Sequence, residues 1–154
     1  MAMDLRERIS AGLKDAMREK DAIRLSTLRL INAAIKDQDI AARGDGRGDG
    51  VDDAAVLAIL GKMVKQRQES ARAYEEGGRL ELAEKERAEI AIIEGFLPRQ
   101  LSQAEVDAAI AAAIAEVGAT GLRDMGRVMA ALKTRHAGQM DFAAAGAQIK
   151  ARLI

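Results

Sequence analysis

Cysteine is absent from the 154 residues, which excludes a disulfide framework, a thiolate metal site and a cysteine nucleophile. Proline occurs once, at Pro98, tryptophan not at all, and aromatic residues make up only 2% of the chain. A core must therefore be filled by Ala, Leu, Ile and Met, which suits helices that approach closely through small side chains. β-Branched runs are scarce, while alanine and charged residues, good helix formers, dominate. The expected fold class is all-α. No run approaches the ~20 apolar residues of a membrane span, and Met1 to Arg8 lack the apolar h-region of a secretory signal. The expectation is a soluble cytoplasmic protein with no membrane contact.

What is present is organised around the single proline. Its ring excludes the helical conformation for Leu97, so a helix arriving from the N-terminal side should end about there. Ser102 and Glu105 have the capping-box spacing and open a new helix four residues later. Phe96, Leu97 and Leu101 make the joint apolar, as expected of a packed break. This reading divides the chain into an N-terminal helical domain, 1–97, and a small C-terminal three-helix domain, 98–154.

Four helices are expected before the joint. Asp4 and Glu7 cap the first, with Leu5, Ile9, Leu13 and Ala16 or Met17 on one face. Asp21 caps the second, which runs to about Ala42 with Leu25, Leu28, Ile31 and Ile35 inward and Arg24, Arg29, Lys36 and Asp39 pointing elsewhere. The segment Arg43 to Gly50 reads as a mobile loop. It is no calcium loop, because Val56 falls where a bidentate glutamate is needed. Asp52 or Asp53 opens the third helix, through about Glu76, with the seam Val56, Leu60, Met63, Arg67, Ser70 and Tyr74. Gly77-Gly78 supply a left-handed cap. A fourth helix from about Arg79 to Glu94 carries Leu82, Glu86, Ile90 and Ile93 and closes a long antiparallel hairpin.

Beyond Pro98, the first helix turns Val106, Ile110, Ala113 or Ile114 and Val117 inward and ends near Gly118. Thr120 is expected to cap the second, which buries Leu122, Met125, Val128 or Met129 and Leu132 and stops at Gly138. Asp141 caps the last, with Phe142, Ile149 and Leu153 as its apolar side. Gly146 weakens that helix by ~1 kcal/mol relative to alanine unless a neighbour packs on it.

No residue pattern points to catalysis, a cofactor or a metal. The single histidine, His136, has no serine or cysteine beside it and cannot alone make a zinc site. In the last turn of a helix it suits the dipole. Neither a phosphate loop nor a dinucleotide fingerprint occurs. Charge is more informative: the net is zero, yet residues 99–154 hold 7 Lys or Arg against 5 Asp or Glu. The excess gathers at Arg123, Arg127, Lys133 and Arg135, with Lys150 and Arg152 available from the last helix. Two readings stand side by side, a compact surface for phosphates and cations that merely complement a helix end.

Several segments resemble the YqeY family. These are Arg24 to Lys36, Met63 to Ser70 with Tyr74, the joint Glu89 to Ser102, and Asp124 to Met129, in the family's order and across essentially the whole chain. The resemblance implies two all-α domains, the second similar to the tail domain of the GatB subunit of tRNA-dependent amidotransferases. Those enzymes convert Glu or Asp on tRNA to Gln or Asn, with the chemistry in domains absent here. The resemblance thus implies a tRNA-binding or amidotransferase-associated accessory protein without a catalytic centre of its own. Its expected partners are tRNA and possible aminoacyl-tRNA or translation-related proteins. Arg123, Arg127, Lys133, Arg135 and Lys150 are the expected tRNA contacts, and Arg24, Arg29, Lys36, Lys65 and Arg67 a second surface. Gly138-Gln139-Met140-Asp141 departs from the family by lacking a basic residue after the glycine. Scarce aromatics disfavour single-stranded RNA as the target. The alternative is a helical protein-docking adaptor built on Lys65 to Arg72. A glutamine-dependent carbon-nitrogen ligase lacks the nucleophile it needs.

Overall fold

A computed structural model describes residues 4–46 and 50–154. Among them seven α-helices and one 3-10 turn follow one another without a strand. The all-α expectation holds. By internal packing the chain separates into two compact units, Met1–Leu97 and Pro98–Ile154.

In the first unit, α1 (Leu5–Glu19) begins where the Asp4 carboxylate accepts from the Glu7 N–H at 2.8 Å. Leu5, Ile9 and Ala16 are buried and Met17 is exposed, so alanine takes the last inward position. The second helix, α2 (Ala22–Gly44), is capped by Asp21, which accepts from the Arg24 N–H. Leu28, Ile31, Ile35 and Ala42 form its buried stripe. Thr27 joins them because its hydroxyl donates to the Ile23 carbonyl at 2.8 Å, so its buried donor is paired. The helix continues through Arg43 and Gly44, so the expected loop starts late, at Asp45 and Gly46. Its residues Arg47, Gly48 and Asp49 lie outside the described ones.

Asp39 does not simply point away from the packed stripe. Arg6 grips its carboxylate with two nitrogens and also donates to the Val51 carbonyl, while Asp39 accepts from the Val51 N–H at 3.0 Å. The Arg6 hydrogen bond, then the Val51 N–H, hold the Asp39 carboxyl below the usual carboxylate range. These bonds tie α1 and α2 to the entry of α3 (Asp53–Glu76), which Asp52 caps.

α3 and α4 (Leu80–Glu94) form the antiparallel hairpin, turned at Gly78, whose φ is +75°. Its inner faces carry Val56, Leu60, Met63 and Ala71 on one side and Ala83, Glu89, Ile90 and Ile93 on the other. Leu82, expected inward, is exposed. Counting back from Ile90 at about 100° per residue puts Ala83, seven positions away, on that face. The alanines let the helices approach near the tip, and Phe96 closes the core at the other end.

The second unit opens with α5 (Gln103–Val117), whose capping box forms in both directions. Ser102 Oγ accepts from the Glu105 N–H, and Glu105 accepts from the Ser102 N–H. Gly118, at φ +64°, ends the helix. The next stretch corrects the expectation. Thr120 caps nothing with its side chain, Leu122 is exposed, and Leu122–Asp124 is a 3-10 turn ahead of α6 (Met125–Arg135). The carboxylate of Asp124 supplies the order instead, accepting from the N–H groups of Thr120 and Gly121. Asp141 caps α7 (Phe142–Leu153). Ile110, Ala113, Val128, Leu132, Ala145, Ile149 and Leu153 form one core.

Candidate functional site

The cations expected on the second unit do not share one face. At about 100° per residue, Lys133 and Arg135 lie ~160° apart around α6. Arg135 turns toward α5 and pairs with Glu116 at 2.5 Å. Lys133 is exposed on the α7 side, its ammonium 6.0 Å from the Phe142 ring centre. Arg127 donates to Asp124 at 2.7 Å, yet its side chain remains 60% exposed. The Thr120 N–H, then Arg127, lower the Asp124 carboxyl to about 2. Arg123 stands exposed on the 3-10 turn.

Arg127 and Lys133 thus flank the solvent face of α6, with Arg123 at its start. Between them the exposed residues are Gly126, Ala130 and Thr134. Small side chains flanked by three cations allow a phosphate chain to approach the helix closely, and that close approach strengthens each charge contact. Lys150 and Arg152 are exposed near the end of α7, where they complement its dipole.

The turn before α7 is structural. Gln139 accepts at its carbonyl from the Leu101 N–H at 2.9 Å and donates from Nε2 to the Arg99 carbonyl at 3.0 Å. That commitment leaves Oε1 as the acceptor for His136 Nδ1 at 3.1 Å. Gln100 adds a bond to the Gly138 carbonyl at 2.7 Å. The position lacking a basic residue therefore holds a brace between the residues after Pro98 and the end of α6. Arg99 is likewise engaged: both its amino groups donate to Glu105, which with the Ser102 N–H lower that carboxyl to about 2.

The five residues expected on a second surface also separate. Arg24 and Leu28 are four apart on the buried side of α2, and Arg24 lies over Gly12 of α1. Arg29 and Lys36 are exposed on the opposite side of that helix, and Lys65 is exposed on α3. Arg67 is no surface residue. Its Nε donates to Glu89 at 3.0 Å across the hairpin, and the two side chains are only 14% and 10% exposed. A positive charge in the middle of an apolar seam, with acids at the facing positions of α4, was the signal for this pair. Among the described residues no three His, Asp or Glu side chains are placed to hold a metal ion. No helix there is long and apolar enough to cross a membrane.

Fold and surface define an all-α protein of two compact helical units, the second carrying a cationic helix face. It belongs to the YqeY family: the family described as "Yqey-like protein" matches residues 6–153. Its relatives include three fungal proteins, each named "Altered inheritance of mitochondria protein 41, mitochondrial". The one from Lachancea thermotolerans is 32% identical over 111 residues, 71% of this chain and 57% of that protein. That from Meyerozyma guilliermondii is 40% identical over 89 residues, 58% and 44% of the two chains. That from Pyrenophora tritici-repentis is 30% identical over 135 residues, 83% and 71%. The chain thus spans about half the length of the first two. These names overturn the cytoplasmic expectation, since the relatives are called mitochondrial. Composition does not encode the compartment.

Proposed function

We propose that the protein is a tRNA-binding accessory protein of the amidotransferase-associated kind, acting by holding RNA rather than by chemistry of its own. The observation that carries the reading is the solvent face of α6, where Arg123, Arg127 and Lys133 border Gly126, Ala130 and Thr134. The resemblance of the C-terminal part to a GatB tail domain supports it. Double-stranded RNA is met by shape and backbone, because its narrow major groove hides the base edges. Arg135 has a smaller part than its sequence position suggests, since Glu116 already neutralises it.

The test is a titration of the protein into labelled total tRNA, beside a variant with Arg123, Arg127 and Lys133 changed to Glu. Saturable binding that the variant loses, with an unchanged circular dichroism spectrum, supports the proposal. Absence of binding at low salt overturns it. The adaptor reading would then lead, on the exposed Ile23, Leu30 and Ile40 of α2. Partners captured on that face should survive nuclease treatment.

A further inference from the structure

The first unit holds two guanidinium groups beside the Phe96 ring, and no carboxylate among the described residues meets either. Arg24 lies on the core side of α2, and its Nε is buried without a hydrogen-bond partner. Gly12 makes room for it: a Cβ there would sit 3.4 Å from Arg24 Nη2 and 3.2 Å from Phe96 Cζ. Arg8, one turn earlier on α1, lies over the same ring with its guanidinium carbon 5.6 Å from the centroid, and donates to the Gly95 carbonyl at 3.2 Å. Elsewhere in this unit the half-buried arginines are matched, Arg6 by Asp39 and Arg67 by Glu89. Arg24 stands out as a cation placed at a core position with no anion to receive it.

We propose that Arg8 and Arg24 form an anion site beside Gly12 and Phe96, and that its ligand is a phosphate monoester or free phosphate. Two fixed positive charges match the charge of a phosphate monoester, ≈ −1.5 to −2 at pH 7, better than the single charge of a carboxylate or a backbone phosphodiester. A guanidinium fork offers paired N–H donors in the geometry that phosphate oxygens accept. Arg24 is half-buried, and its Nη2 lies with Phe96 Cζ and Leu28 Cδ1 around the same point beside Gly12. The site lies wholly within the first unit and is independent of the α6 face.

The experiment follows the arginine Nε–H resonances by two-dimensional NMR while inorganic phosphate is added to the full chain. A saturable shift of the Arg24 Nε–H, lost in Arg8→Gln, is the expected result. Arg24→Met keeps the stem and removes the charge; it should abolish the phosphate-dependent rise in melting temperature that the unaltered chain shows. Should that variant fail to fold, Arg24→Lys provides the second check: it keeps the charge but loses the paired N–H donors of the fork, and should weaken phosphate about tenfold. RNA oligomers with a 5′-phosphate or a 5′-hydroxyl then separate the sources. A response to the 5′-phosphate form alone assigns the site to an RNA end, no response to either assigns it to free phosphate, and an equal response to both means that backbone phosphodiesters bind and overturns the monoester assignment. An Arg24 resonance that stays put throughout the phosphate titration overturns the proposal. The variant at Arg123, Arg127 and Lys133 should leave the phosphate response intact, so failure of either site is read separately.

Discussion

Two glycines show how single positions differ beneath the same letter. Gly50 has φ +81°, and a Cβ there would fall 2.5 Å from Asp39 Oδ1, within the bonds that hold Val51. Gly50→Ala should cost about 1–3 kcal/mol, from the left-handed backbone and the displaced carboxylate. Gly146 is an ordinary helical residue whose added methyl would meet Met129 Cε at 3.5 Å, normal contact. Gly146→Ala should therefore stabilise by about 0.5–1 kcal/mol through helix propensity. Urea denaturation of both variants checks the opposite signs. The sequence suggested the condition for Gly146, but nothing in it marked Gly50, because Asp39 lies eleven residues away.

At the scale of elements, the hairpin α3–α4 depends on a charge pair in its seam. Arg67→Met would leave Glu89 facing the core without its partner, at a cost of about 3 kcal/mol. Replacing both, Arg67→Met with Glu89→Leu, should recover most of that loss, because the pair's desolvation is removed with its attraction. A double-mutant cycle by chemical denaturation measures the difference, and equal losses in single and double variants would refute this account. The second unit has its own dependence, on pH. Glu105 and Asp124 are lowered to about 2 from ordinary values of 4.5 and 3.8. The unfolded chain thus binds protons there first, so the stability they give is complete above pH ~5 and fades as pH falls toward 2. Helical signal followed on acidification should drop in that window, and Glu105→Gln with Asp124→Asn should flatten the response.

For the whole molecule, a net charge of zero means that distant attraction cannot gather RNA, so the proposed binding rests on local contacts. Three cations on α6 imply a slope of log affinity against log salt of roughly −2 to −3. A slope near −6 would mean that further cations take part and that the site has been drawn too small. The relatives place no limit on this reading, since their names speak of mitochondrial inheritance and not of a ligand.

The sequence by itself determined where most of the helices start, because capping signals are local. Asp4, Asp21, Asp52, Ser102 and Asp141 cap as their spacing implied. It also determined the all-α class, through alanine, charge and the scarcity of aromatics. Tertiary structure decided which charges are available. Arg67 found Glu89 across the hairpin, Arg135 found Glu116 on another helix, and Arg24 was drawn over Gly12. A cap reads its neighbours within four residues, whereas an ion pair depends on which faces meet, and only packing brings residues far apart in the chain to one point.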